Sequence, residues 1–204
     1  MAGRLITFEG IDGSGKSTQL RALAAHLRAR DLEVVETREP GGAPGAETIR
    51  RLLVEGEPGR WSPETEVLLF TAARRDHLER TIAPALDRGA TVICDRFADS
   101  TRVYQGAVRG DLRAMVDALH RLAIGLEPDL TLILDIDPEV ARRRGAERGG
   151  VEDRFERFGA EFQHRLRDGF LALAREFPER CRIVPADGAP EAVAERIRSL
   201  ADAP

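Results

Sequence analysis

The segment I-T-F-E-G-I-D-G-S-G-K-S-T-Q-L, residues 6–20, constrains this chain more than any other. Gly10, Gly15, Lys16 and Ser17 fill the pattern GxxxxGK(S/T) after an apolar, strand-like run and before an amphipathic stretch, Leu20 to Arg30. A strand, a glycine-rich turn and a helix in that order form a phosphate loop. Its glycines let successive backbone N–H groups turn inward around a polyphosphate, and the helix N-terminus adds its positive dipole end. The residues assigned to ATP are Gly10, Ile11, Asp12, Gly13, Ser14, Gly15, Lys16, Ser17 and Thr18. Lys16 reaches the β- and γ-phosphate oxygens, and the Ser17 hydroxyl ligates Mg²⁺.

Composition sharpens the reading of Lys16. Of the 31 basic residues 30 are arginine, so lysine has been lost wherever it was dispensable and kept only at Lys16. A compact ammonium fits a tight cradle that arginine's planar fork does not. The net charge of −4 offers no global positive field for a nucleic-acid polymer. With 42% hydrophobic residues, no membrane-length apolar run and no export signal at the N-terminus, the chain reads as a cytoplasmic globular protein of one domain, 1–204. Cys94 and Cys181 lie in apolar strand-like runs and read as reduced core thiols.

Strand-like runs fall near Leu5–Glu9, Glu33–Thr37, Thr91–Cys94, Leu130–Ile136 and Arg182–Pro185. Helical periodicity fills Leu20–Arg30, Glu64–Arg88, Asp111–Gly125, Glu156–Glu176 and Glu191–Ala201. The alternation predicts an α/β three-layer sandwich of P-loop NTPase type, a five-stranded parallel sheet flanked by helices, with ligands at the strands' carboxyl ends. Pro40–Gly45 reads as a functional loop. Two apolar runs end in aspartate, at Asp95 and Asp135, and either suits a metal. Asp95 is preferred because Arg96 follows it, and Asp135 is then a helix N-cap.

Three further motifs decide the reaction: T-R-E-P-G-G (37–42), L-L-F-T-A-A-R-R-D-H (68–77) and D-R-F-A-D-S-T-R-V-Y-Q-G (95–106). With the phosphate loop, in this order and spacing, the chain resembles the bacterial thymidylate kinases nearly end to end. The resemblance implies a nucleoside monophosphate kinase-like fold and transfer of the γ-phosphoryl of ATP to dTMP, with Mg²⁺ as cofactor. It implies dTMP binding by Arg38, Phe70, Arg74, Arg96, Thr101, Tyr104 and Gln105. Arg38 would hold the acceptor phosphate, Phe70 would stack on thymine with Arg74 one turn on, and Tyr104 would crowd the sugar 2′ position. Each has a plainer reading: a surface arginine for Arg38, core packing for Phe70 and Tyr104.

Catalysis is assigned to Lys16, Arg96, Asp12 and an arginine of a mobile lid at 141–154. One subset of the family carries an arginine inside the phosphate loop, where this chain has Gly13, so the lid has to supply it. Arg148 matches best and Arg144, which is also assigned to ATP binding, next, against the reading of a solvated basic turn. Such a residue stabilises charge on the transferred phosphoryl and excludes water. The family is commonly dimeric through helices, and the apolar faces of 64–88 and 111–125 would serve. Two other readings stay open on the residues alone: another P-loop deoxynucleoside or monophosphate kinase, and a P-loop switch ATPase.

Overall fold

In the computed structural model the described residues are 3–57, 59–108, 110–147 and 159–202. Five parallel strands form one sheet: β1 (Arg4–Glu9), β2 (Val34–Arg38), β3 (Thr91–Asp95), β4 (Leu130–Asp135) and β5 (Cys181–Pro185), in the order β2-β3-β1-β4-β5. The inner strands are continuous apolar runs because helices cover both their faces. Leu5, Ile6 and Phe8 of β1 and Leu132, Ile133 and Leu134 of β4 are almost wholly buried. The edge strand β2 is half exposed and reads V-V-E-T-R. The register pairs Phe8 with Asp95 and Arg38 with Asp95, so β1, β2 and β3 end at one level. The two cysteines are free and buried, and burial raises the thiol pKa of both.

The helices are α1 (Lys16–Arg28), α2 (Pro44–Val54), α3 (Pro63–His77), α4 (Ala83–Asp87), α5 (Ala98–Val103), α6 (Arg113–Leu119), α7 (Pro138–Glu147), α8 (Ala160–Glu176) and α9 (Pro190–Ala201). Single π-helical turns, Leu78–Ile82, Tyr104–Val108 and His120–Ile124, follow α3, α5 and α6. No helix among the described residues is long and apolar enough to cross a membrane.

The structure corrects four of the sequence expectations. Pro40–Gly45 is only partly loop: Pro44 is the first residue of α2, a position where its missing N–H costs nothing. The segment after β3, absent from the expected helical stretches, is helical from Ala98. The stretch 64–88 is interrupted by a π turn, whose extra residue breaks the 3.6 period. Residues 141–147 of the expected lid belong to α7, and 148–154 lie outside the described residues.

Candidate active site

Helix α1 begins directly at Lys16, after Gly15 in a left-handed conformation (φ 96°), so Lys16 and Ser17 sit on its first turn, where backbone N–H groups are free to meet an anion. Gly13 adopts φ 80°, and a Cβ there would stand 2.2 Å from the carbonyl oxygen of Ala141 at the start of α7. A side chain cannot enter the loop at this position without displacing α7. Lys16 is buried and donates from Nζ to the carbonyls of Gly10 (3.0 Å) and Ile11 (2.9 Å), with Asp12 at 3.7 Å. Burial and the Arg96 guanidinium draw its ammonium below the usual range, against the pull of Asp12, Asp95 and Glu9.

Ser17 Oγ donates to Asp95 Oδ2 at 2.7 Å, which joins the first turn of α1 to the end of β3. Asp135 points elsewhere. Its carboxylate receives Nε (2.6 Å) and Nη2 (3.0 Å) of Arg167 from α8. Nor is it the helix cap: Asp137 Oδ1 accepts from the Glu139 amide (2.8 Å) at the start of α7. A hydroxyl and a carboxylate beside the phosphate loop match the sparse oxygen set that Mg²⁺ takes from protein when phosphates and water complete its shell.

Arg96 is fixed on every side. Its backbone has φ 70°, rare for a residue with a side chain. Nη1 donates to Gly10 O (3.2 Å) and Ser100 Oγ (3.0 Å), Nη2 donates to Asp12 Oδ1 (2.5 Å), and the guanidinium lies 5.3 Å from the centre of the Tyr104 ring. Burial works to raise the Asp12 pKa, but Arg96 and Lys16 overcome it and leave this carboxylate below its ordinary range. Glu9 anchors the same turn, accepting from the amides of Phe97 (2.8 Å) and Ser100 (3.1 Å) and from Ser100 Oγ (2.6 Å). Full burial, reinforced by Asp99, lifts its pKa from 4.5 to about 7.

A second group faces the loop across a cavity of about 300 Å³ lined by Asp12, Gly13, Lys16 and Ser17 on one side and Arg38, Phe70, Arg74, Thr101, Tyr104 and Gln105 on the other. Phe70 is half buried and packs on the main core cluster. Tyr104 meets Phe162 and Phe170 edge to face and also lines the cavity. Arg38 is exposed at the end of β2 and pairs with Glu47 at 3.1 Å. Arg74 is buried. Its Nε donates to Glu39 (2.6 Å), and its Nη2 donates to Phe97 O and Thr101 Oγ1 (both 3.1 Å). Gln105 Nε2 donates to Glu66 at 2.9 Å.

Sequence reasoning passed over several of these residues. Glu39 receives Arg74 and is held from behind by His77 Nδ1 (3.1 Å), whose Nε2 meets Thr37 Oγ1 (2.7 Å). The histidine's place in D-H at the end of an apolar helix carried no sign of this partner. Arg50 and Val54 also line the cavity, from the unforeseen helix α2. Arg144 donates to the carbonyls of Ala186 (3.1 Å) and Gly188 (3.4 Å). Arg148 lies outside the described residues.

A phosphate loop opening on a cavity at the carboxyl ends of a 2-3-1-4-5 sheet, with arginines and an aromatic side chain across from it, defines a P-loop nucleotide kinase. Comparison with known proteins narrows the class. A family model described as thymidylate kinase matches residues 8–197. The chain is 69% identical over 182 residues to the thymidylate kinase of Dinoroseobacter shibae, covering 89% of this chain and 88% of that protein. It is 63% identical to that of Ruegeria pomeroyi, covering 97% and 94%. The crystal structure of thymidylate kinase from Ehrlichia chaffeensis superposes with a TM-score of 0.79 at 36% identity, covering 99% of this chain and all of that one. This chain belongs to the thymidylate kinase family.

Proposed function

We propose that the chain transfers the γ-phosphoryl of ATP to dTMP in the cavity between the phosphate loop and Phe70. The observation that carries this reading is the convergence on that cavity of Lys16, Ser17, Arg96 and Asp95 from the donor side with Arg38, Phe70, Arg74 and Thr101 from the acceptor side. Two phosphates repel, so the protein's task is to neutralise and align them rather than to supply a nucleophile. Lys16 and the loop amides hold the β- and γ-phosphates. Arg96, rigid between Gly10, Asp12 and Ser100, places a guanidinium between donor and acceptor.

Ser17 and Asp95 would hold Mg²⁺, which would supply charge neutralisation on the phosphates of ATP. Arg38 takes the acceptor phosphate, exchanging Glu47 for it. Phe70 stacks on thymine, and Arg74, which also lines the cavity, donates to its 4-carbonyl. Arg148, followed by two glycines, is the lid arginine that meets the transferred phosphoryl. Leu68 on α3 and Leu122 beyond α6 are 51% and 85% exposed, which supports a homodimer through these helices. Free buried cysteines suit the cytoplasm.

Coupled ADP release with ATP, Mg²⁺ and each nucleoside monophosphate in turn tests the reading. Turnover with dTMP far above every other monophosphate is expected. ADP release that is independent of any acceptor, or fastest with a purine, contradicts it.

A further inference from the structure

Glu66 and Gln105 form a pair that the phosphoryl-transfer chemistry does not use. Both side chains are fully buried, one on α3 and one in the π turn after α5, and Gln105 Nε2 donates to Glu66 Oε2 at 2.9 Å. Glu66 lies one helical turn before Phe70 on α3, so the pair sits beside the proposed stacking face. The other end of the amide, Gln105 Oε1, is buried and has no hydrogen-bond partner among the described residues, while Gln105 is one of the cavity's lining residues. A buried acceptor without a partner costs about 1–3 kcal/mol unless something satisfies it.

A glutamine amide has one donor end and one acceptor end, and rotation by half a turn exchanges them. A carboxylate can only accept. Glu66 therefore holds the NH₂ end of Gln105, and the carbonyl end is left for whatever fills the cavity. We infer that Glu66 is a specificity-determining positioning residue, which locks Gln105 as an acceptor and so selects an acceptor base that presents a ring N–H. Thymine and uracil carry such an N–H at N3, whereas cytosine presents a lone pair there and a lone pair against Oε1 repels. The inference rests on the reading that the base lies beside Phe70. Arg74 and Gln105 then read opposite polarities, a donor toward the 4-carbonyl and an acceptor toward N3–H.

The test is the ratio of kcat/KM for dTMP to that for dCMP in wild type, Gln105→Leu, Glu66→Gln and the double variant. In Glu66→Gln the partner can donate or accept, so the Gln105 amide turns over and the ratio should fall at least tenfold. Glu66→Gln added to Gln105→Leu should leave the ratio where Gln105→Leu alone puts it, because the glutamate acts only through the amide. A merely structural glutamate would depress both substrates together and leave the ratio at its wild-type value, which would overturn the inference. If Gln105→Leu itself leaves the ratio unchanged, the base is not beside Gln105 and it is the underlying placement that fails. Glu66→Asp keeps the charge and withdraws the oxygen; it carries the test if Glu66→Gln does not fold, with a fall of at least threefold expected and no change contradicting.

Discussion

Ser17 Oγ and Asp95 Oδ2 stand 2.7 Å apart, one on the first turn of the helix that follows the phosphate loop, the other at the end of the neighbouring strand β3. The contact brings together two oxygen-bearing side chains that are 78 residues apart in sequence and leaves Asp135 to a salt bridge with Arg167. Asp95→Asn should raise the Mg²⁺ concentration needed for half-maximal activity by about 10–100-fold, with the fold intact. Asp135→Asn should leave that concentration unchanged and lower Tm. A titration of rate against Mg²⁺ for the two variants checks the assignment, and the reverse pattern would move the metal to Asp135.

Lys16→Ala should abolish transfer. Lys16→Arg should fail as well, because Nζ sits within 3.0 Å of two loop carbonyls in a buried cradle that has no room for a planar fork. Steady-state rates with dTMP measure this. Activity of Lys16→Arg within about tenfold of wild type, a barrier change of only ~1.4 kcal/mol, would contradict it.

Gly13→Ala should impair the loop although it adds a single methyl group. The Cβ would lie 2.2 Å from Ala141 O, and φ 80° is unfavourable for any side chain. A loss of at least tenfold in kcat/KM for ATP is expected. The same collision is the physical reason why no arginine fits at this position of the loop beside α7.

Glu9 gives a pH dependence with a defined sign. Burial raises its pKa from 4.5 to about 7, so the folded protein binds a proton that the unfolded chain releases. The stability this contributes is complete below pH 4.5 and is lost as pH rises through about 7. Against Glu9→Gln, which does not titrate, wild type should lose on the order of 3 kcal/mol between pH 4.5 and 8. Denaturant unfolding of both proteins across that range measures the difference. A gap that stays constant with pH would mean that Glu9 is ionised throughout.

The sequence carried the parts of this molecule whose physics is local. The phosphate loop, the five strands and the arginines at the end of β2 and just after β3 are all written in short local runs. It did not carry α5, because A-D-S-T-R-V is only six residues long, four of them the weaker helix formers Asp, Ser, Thr and Val, and is held by Glu9 from another strand. It did not carry the π turns, which shift the register of an otherwise regular helix. The Glu39–His77–Thr37 support behind Arg74 joins residues 35 to 40 positions apart, and no single motif encodes it. The same holds for Glu66: its helical spacing marks it as a neighbour of Phe70, but only the fold brings Gln105 to it.

The central claim is that one cavity joins the phosphate cradle to a pocket that reads thymine, and steady-state kcat/KM for dTMP, dUMP, dCMP and AMP on wild type and Phe70→Ala tests it most directly. Wild type should turn over dUMP at roughly 1/10 to 1/200 of the dTMP value, because a methyl group in an apolar pocket is worth ~1–3 kcal/mol. AMP should fall by on the order of 10⁴-fold, since a purine leaves the polar groups of the pocket unpaired. Phe70→Ala should weaken all three pyrimidine acceptors together. A wild-type preference for AMP, or a Phe70→Ala protein that phosphorylates dTMP as well as wild type does, would contradict the account.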